Sequence, residues 1–470
     1  MAPVRTWRGP ALVSLLGAAL VLYATAPGLG ISADSVRYLQ AARSLRAGDG
    51  LRALDRDAHP APLTHYPPLY PTLLAATPAP LTFARGWNAL AFAAWLFLFA
   101  RAFGWGAGLL AASAPDVLGV HVWAWSEPTF LLLTALALAV LRRSPAAAGL
   151  LLGAAALTRY AALPLPLAAA FALGRDGRGR DAARLLALAW LPVAAWGAWS
   201  LAATGLVADR RIGFHPPGLD GLWSGLRSLS SWVLAPPESG AIRWVIAAGS
   251  VVIGARAVSD MIRERAWPRG PLPLWGAVYL AFVLLTMTFA DAATQLEVRI
   301  LAPLHPMAIA AAGSVLLRLR RRAALAALLG TLGATHVATL AVELPHARRE
   351  GLGYSARAFR ESPLLEAVQG LPAERPLCSS AAEALQFWTG RPVADLPWKQ
   401  DLFTGREVPR YEARLAALLD RLRAEAGAIV LWDLVHWRDY QPGEAELLAR
   451  LPLEVRLRVA DGALLTPSRP

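Results

Sequence analysis

Residues 10–47 read PALVSLLGAALVLYATAPGLGISADSVRYLQAARSLRA. Residues 10–27 carry no charge, and a helix needs about 20 apolar residues to cross a bilayer core, with 17 to 25 the usual range. The run therefore reads as a membrane span. After the Pro27-Gly28 break, Val36, Leu39, Ala42 and Leu45 recur on one helical face, with Arg37, Arg43 and Arg46 on others, as in a helix lying in the membrane interface. A span followed by a polar interfacial excursion is the pattern of a polytopic α-helical membrane protein, and the rest of the chain extends it.

Over 470 residues, 56% are hydrophobic and 17% charged, with a formal net charge of +13. Mean hydropathy is +0.41 and the pI near 10.8. A disordered polybasic chain would be polar, and a soluble nucleic-acid binder would not contain runs such as 130–141, so neither class fits and no nucleic-acid partner is expected. Cys378 is the sole cysteine, which excludes an internal disulfide. Lys399 is the sole lysine, so the preference for arginine reflects compositional bias and carries no functional weight.

Hydropathy windows bounded by arginine-rich breaks give eleven expected spans: 10–27, 86–100, 104–121, 127–141, 145–158, 160–173, 185–203, 241–255, 272–290, 301–317 and 323–342. Short cytoplasmic loops concentrate Lys and Arg. With the N-terminus inside, the inner segments take Arg5, Arg8, Arg101, Arg142, Arg143, Arg175, Arg178, Arg180, Arg184, Arg256, Arg263, Arg265, Arg269, Arg318 and Arg320 to Arg322, against only Asp176, Asp181, Asp260 and Glu264. These segments account for the whole +13, since 344–470 holds 17 basic and 17 acidic residues and the remainder also balances. The excess charge is thus an orientation signal. It requires the proline-interrupted stretch 67–83 to belong to a long first outer loop, 28–83, and puts 344–470 on the outer face. In an alternative reading of the first run, Arg5 and Arg8 followed by an apolar stretch ending Ala24-Thr25-Ala26 form a cleavable signal peptide, which leaves the downstream topology unchanged.

Two units are expected: a membrane domain over 1–343 and an extracytoplasmic α/β domain over 344–470. In the latter, helical spacing at 357–369, 409–426 and 443–450 alternates with strand-like runs at 376–379, 428–432 and 453–459. No internal repeat is evident.

Charges on the balanced outer side stand out. Asp34 reads either as the N-cap of the interfacial helix or as a catalytic carboxylate. His65-Tyr66-Pro67-Pro68-Leu69-Tyr70-Pro71 begins a short helix or structural hairpin. The tryptophans of His121-Val122-Trp123-Ala124-Trp125-Ser126-Glu127-Pro128 suit an interfacial belt. Glu127 either complements the dipole of the helix that follows or faces a cavity. Arg159, in Thr158-Arg159-Tyr160, and Arg299 violate the orientation rule. Each either snorkels or pairs with a local acid, Glu297 for Arg299, or binds a phosphate through its planar guanidinium.

In their order along the chain these segments resemble the bacterial GT-C glycosyltransferases, relatives of the protein O-mannosyltransferases and the lipid A aminoarabinose transferases. The resemblance covers roughly 1–343: Asp34-Ser35 with Arg37 and Tyr38 on the helix behind it, His65-Tyr66 through Pro71, Ser126-Glu127-Pro128, Leu157 to Tyr160, and Arg299 to Pro306 with His305. It implies a polyprenyl-phosphate-linked sugar donor, the essential acid of the first outer loop at Asp34, and a donor-phosphate contact at Arg299. Many protein mannosyltransferases have two adjacent acids where this chain has Asp34-Ser35, so that pair does not indicate a protein acceptor.

The expectation is a multi-pass glycosyltransferase of the bacterial inner membrane, moving a sugar to a lipid, glycan or protein acceptor on the outer face. Asp34 and Glu127 are its candidate catalytic groups, and Arg37, Tyr38, His65, Tyr66, Arg159, Tyr160, Arg299 and His305 its candidate substrate-binding ones. A variant reading has Asp34 and Glu127 hold a divalent metal, although two carboxylates do not define a ligand set. The rivals are a transporter or flippase, which the lack of related halves disfavours, and a non-catalytic lipid-binding relative.

Overall fold

The computed structural model describes residues 7–210, 212–232, 240–265, 272–402 and 404–468. The first span and the excursion after it form α1 (Arg8–Ala24), the expected α2 (Ala33–Ala47), an antiparallel hairpin of β1 (Arg52–Leu54) and β2 (Pro60–Pro62) that the sequence reading does not include, and α3 (Leu69–Ala75), the expected short helix after the double proline. Next come α4 (Pro80–Phe103), α5 (Trp105–Ser113), α6 (Pro115–Gly119), α7 (Glu127–Val140) and α8 (Pro145–Ala156). A 3₁₀ turn (Tyr160–Ala162) leads to α9 (Leu165–Arg175) and α10 (Gly179–Thr204). The membrane half finishes with α11 (Leu219–Ser230), α12 (Gly240–Arg263), α13 (Leu272–Phe289), α14 (Val298–Leu301), α15 (Leu304–Leu316) and α16 (Ala323–Glu350).

Each of the eleven expected spans falls on helix, with differences that follow from prolines and glycines. The span expected at 104–121 is divided before Pro115, because proline cannot donate the helical hydrogen bond and disfavours helix in the residue preceding it. Pro303 likewise separates α14 from α15. Pro80, at a first helical position where no donor is needed, starts α4 six residues earlier than expected. Among the described residues four helices are long and apolar enough to cross a membrane: α4, α10, α13 and α16. Their outer surfaces are apolar, with Leu90, Leu191, Leu285 and Val337 all more than half exposed, as lipid contact requires. Inward, α8 packs on α10 through Gly149 and Gly153, where an added methyl would lie 2.6 Å from Leu185 O and 2.8 Å from Ala189 O.

Beyond α16 lie α17 (Arg357–Arg360), α18 (Pro363–Gln369), β3 (Leu377–Ser379), α19 (Ala382–Thr389), β4 (Val393–Asp395), a small hairpin of β5 (Gln400–Asp401) and β6 (Arg406–Glu407), and α20 (Tyr411–Ala424). The chain then forms β7 (Ala428–Trp432), α21 (Glu444–Arg450), β8 (Leu453–Val459) and β9 (Gly462–Pro467). The strands form a five-stranded sheet in the order β4-β3-β7-β9-β8, parallel through β7 and antiparallel beyond it. All five residues of β7 are buried, which is why its run is continuously apolar. The single expected helix at 357–369 is two, because Ser362 caps α18 by accepting from the Leu365 amide at 2.9 Å.

One junction fixes the chain just before Asp34 and Glu127. Residues 29–31 are held between the 122–124 loop and the segment after α16: Gly30 N donates to Val122 O at 2.9 Å, Ala124 N to Gly30 O at 2.9 Å, and Tyr354 N to Ile31 O at 2.7 Å. Gly353 has φ +61°, and a Cβ there would meet Ile31 O at 2.2 Å. Gly353→Ala is expected to cost about 2 kcal/mol or more, from left-handed backbone strain plus displacement of Ile31. A fall in the thermal unfolding midpoint of the detergent-solubilised chain checks this; an unchanged midpoint contradicts it.

Candidate active site

Ser32 caps α2, its Oγ accepting from Ser35 N at 3.4 Å while Ser35 Oγ accepts from Ser32 N at 3.1 Å. Asp34 is therefore not the cap, and its carboxylate is available for tertiary contacts. Oδ1 accepts from the Tyr66 hydroxyl at 2.7 Å and Oδ2 from Arg299 Nη1 at 2.6 Å. The Nε of Arg299 donates to Glu127 Oε1, and Arg159 Nη1 reaches the same oxygen at 2.6 Å. Four charges from four separate stretches of chain thus converge. Arg299 bridges the two acids, and the expected local pairing of Arg299 with Glu297 gives way to this arrangement.

Helix starts and breaks bring these groups together. Asp34 lies in the first turn of α2, Glu127 opens α7, Arg159 directly precedes the 3₁₀ turn, and Arg299 sits on the single helical turn before Pro303. Each break lets a side chain leave an apolar helix where it can meet the others. Trp125 closes the group from one side: its ring lies 3.9 Å from the Arg299 guanidinium carbon and its Nε1 donates to Ser32 Oγ at 2.7 Å. The tryptophan expected in an interfacial belt is in fact a cation–π platform.

Glu127 is 1% exposed as a side chain while Asp34 keeps 25%, so Asp34 is the acid that an incoming molecule meets. Glu127 Oε2 has no hydrogen-bond partner among the described residues. Burial by itself pushes the Asp34 carboxyl up, but the Arg299 charge and the hydrogen bonds from Tyr66 and Arg299 outweigh it and hold the group below its ordinary value. Burial, then the adjacent Asp34, pushes the Tyr66 phenol well up, which keeps it a donor.

The other candidates divide. Tyr38 joins the wall, its hydroxyl 3.4 Å from Ser126 Oγ and its ring edge-on to Tyr66 and Tyr70. His65 packs against Tyr66, and its Nε2 lies 3.4 Å from Arg210 Nη2. Burial and then the Arg210 charge lower its imidazole to about 3, so it is neutral at physiological pH. Tyr160 donates to Thr64 O at 3.0 Å and accepts from Trp196 Nε1 at 2.8 Å. Arg37 points instead to the C-terminal domain, 3.8 Å from Glu383, which also takes Arg438 at 2.8 Å. His305 lies outside the network. It is buried, bonded to Asp116 at 2.8 Å and stacked 4.4 Å from Trp232, an apolar-helix packing site with no contact to Asp34 or Arg299. The sequence reading missed Arg210, which pairs with Asp291 beside His65. Arg210 follows α10 on the expected outer side, so the signal that singled out Arg159 and Arg299 applies to it as well.

A divalent cation does not suit this donor set. Such ions need a shell of oxygens, whereas Glu127 Oε1 already takes two guanidiniums, and no group of three or more potential ligands occurs among the described residues. Phosphate suits it better, since arginine forks are matched to phosphate oxygens.

Tyr66→Phe tests the hydrogen bond. Removing a donor to the carboxylate raises the Asp34 pKa, so the acid limb of any activity that needs ionised Asp34 moves to higher pH while the alkaline limb stays. A pH–rate profile measures this, and a fixed acid limb contradicts it.

Among solved structures, the chain aligns with ArnT from Cupriavidus metallidurans bound to undecaprenyl phosphate at 13% identity and a TM-score of 0.58, covering 97% of both chains. The apo form of the same protein aligns at 14% identity and a TM-score of 0.59, again over 97% of each. The chain shares the fold of that protein over 97% of its length. No protein-family model and no curated protein matches the sequence.

Proposed function

We propose that the protein is a multi-pass membrane glycosyltransferase that moves a sugar from a polyprenyl-phosphate donor to an acceptor at the outer face of the membrane. The observation that carries this reading is the single guanidinium of Arg299 held between Asp34 and Glu127 at the breaks in the apolar helices. The fold shared with a protein crystallised with undecaprenyl phosphate supports a donor of that chemistry. The eleven-span topology with the N-terminus inside and 344–470 outside belongs to the same reading. So does the division between a membrane domain and an extracytoplasmic domain, with α16 running through residue 343 to Glu350.

In the reaction, the acceptor hydroxyl or amine attacks the anomeric carbon, forming the new C–O or C–N bond. The bond from that carbon to the phosphate oxygen breaks, and its electron pair leaves with the polyprenyl phosphate. Asp34 takes the acceptor's proton. In the resting site Arg299 and Tyr66 weaken Asp34 as a base; donor phosphate draws Arg299 to itself and restores basicity as the substrate arrives. The charges then balance through the step: the phosphate gains one negative charge while Asp34 loses one. Once the donor is bound, Arg299 and Arg159 stabilise the leaving group by charge and hydrogen bonding, an effect that grows in a water-poor site. Glu127 holds both arginines in place.

The test is transfer of radiolabelled sugar from polyprenyl-phosphate donors by purified chain in lipid nanodiscs, with a panel of lipid and glycan acceptors. Transfer that depends on Asp34 supports the reading. Failure with every lipid-linked donor, together with protein-dependent lipid or solute movement across the bilayer, favours a transporter.

A further inference from the structure

On the side of α2 away from Asp34, two clefts meet at Arg43. The first, 480 Å³, is lined by Leu39, Ala42, Leu74 and Leu81 together with Arg43 and Arg46. The second, 540 Å³, is the more polar of the two, with Gln40, Ser44, Asp49 and Arg52 beside the same Arg43 and Leu54 and Pro60 as its apolar part. Arg43 is exposed and makes no hydrogen bond or ion pair with any described residue. Arg46 donates once, from Nη1 to Thr77 O at 2.5 Å. Three arginines therefore face one acid across two adjoining hollows, one mostly apolar and one more polar.

The depth of the first cleft follows from Leu81, which lies in the first turn of α4, a helix able to cross the membrane. A hollow at the entry of such a helix lies at the level of lipid headgroups. Nine residues separate Asp34 from Arg43, about 13 Å along the axis and half a turn out of phase, so the cleft is separate from the transfer site.

We propose that these clefts bind an anionic phospholipid: its phosphate at Arg43 and Arg46, the upper part of its acyl chains against Leu39, Leu74 and Leu81, and its polar headgroup towards Gln40 and Arg52. The apolar lining commits the site to a lipid instead of free phosphate. The bound lipid anchors the back of the helix that carries Asp34, whatever reaction that residue serves.

Native mass spectrometry of the full chain in detergent, with added phosphatidylglycerol or phosphatidylcholine, tests this. The wild type is expected to retain phosphatidylglycerol preferentially, and Arg43→Gln with Arg46→Gln to weaken that retention about thirtyfold, as the loss of two interfacial cations implies. Arg43→Lys with Arg46→Lys keeps the charges and most of the retention. Equal retention of phosphatidylglycerol by the wild type and the glutamine variant overturns the proposal. So does displacement of the lipid by equimolar glycerol 3-phosphate, which would make the site one for soluble phosphates.

Discussion

Asp34→Asn is expected to lower kcat for sugar transfer by about a hundred- to ten-thousand-fold, the usual contribution of a positioned general base. Asparagine has nearly the same shape and its carbonyl still accepts a hydrogen bond from Tyr66 or Arg299, so the junction at residues 29–31 and the cap at Ser32 stay intact. What is lost is the ability to take a proton. The donor's KM should hold or fall, since an amide competes less well than a carboxylate for Arg299 and leaves the guanidinium freer for phosphate. A loss confined to kcat, with an unchanged unfolding midpoint, separates a base from a structural acid. Unaltered transfer would remove Asp34 from the chemistry.

Arg299→Lys should be nearly as severe for a different reason. The arginine acts through two nitrogens at once, Nε towards Glu127 and Nη1 towards Asp34, over the ring of Trp125. A lysine is a point charge with neither the fork nor the stacking plane. It can serve one acid or the phosphate, not the set, and a loss of about a hundred- to a thousand-fold in kcat/KM is expected, comparable to losing one preorganised donor to a developing anion. Arg299→Ala adds a stability cost of about 1.5–3 kcal/mol, because the almost fully buried Glu127 loses one charged hydrogen bond while Arg159 still pairs with it. Kinetics and unfolding midpoints of the two variants together distinguish these effects. Full activity in the lysine variant would contradict the phosphate role.

The fold was largely legible because its signals are strong and additive: long uncharged runs in the membrane half, and alternating helix and strand patterns in the tail. Where the reading differed from the structure, a local competitor won. Pro115 divided one expected span, and Ser32 displaced Asp34 as the cap, since serine with a second serine three residues on satisfies both orphan amides. The site was legible in part for a physical reason. Asp34, Glu127, Arg159 and Arg299 stand out because a charge at the edge of an apolar helix is costly unless something uses it. What joins them is set by tertiary geometry, which spacing along the chain does not encode. Hence spacing offers Glu297 as one partner for Arg299 where the fold supplies Asp34 and Glu127, marks Trp125 as belt, and groups His305 with Arg299 although it turns away to Asp116. Arg210 was missed although it breaks the same charge rule.

The most direct measurement is a cryo-electron microscopy structure of the full chain in lipid nanodiscs with undecaprenyl phosphate. The phosphate is expected within hydrogen-bond distance of Arg299, with the Arg299 to Asp34 bond lengthened or broken and Asp34 facing the open side of the phosphate. A phosphate bound elsewhere, with Asp34 and Arg299 still paired, would contradict that expectation.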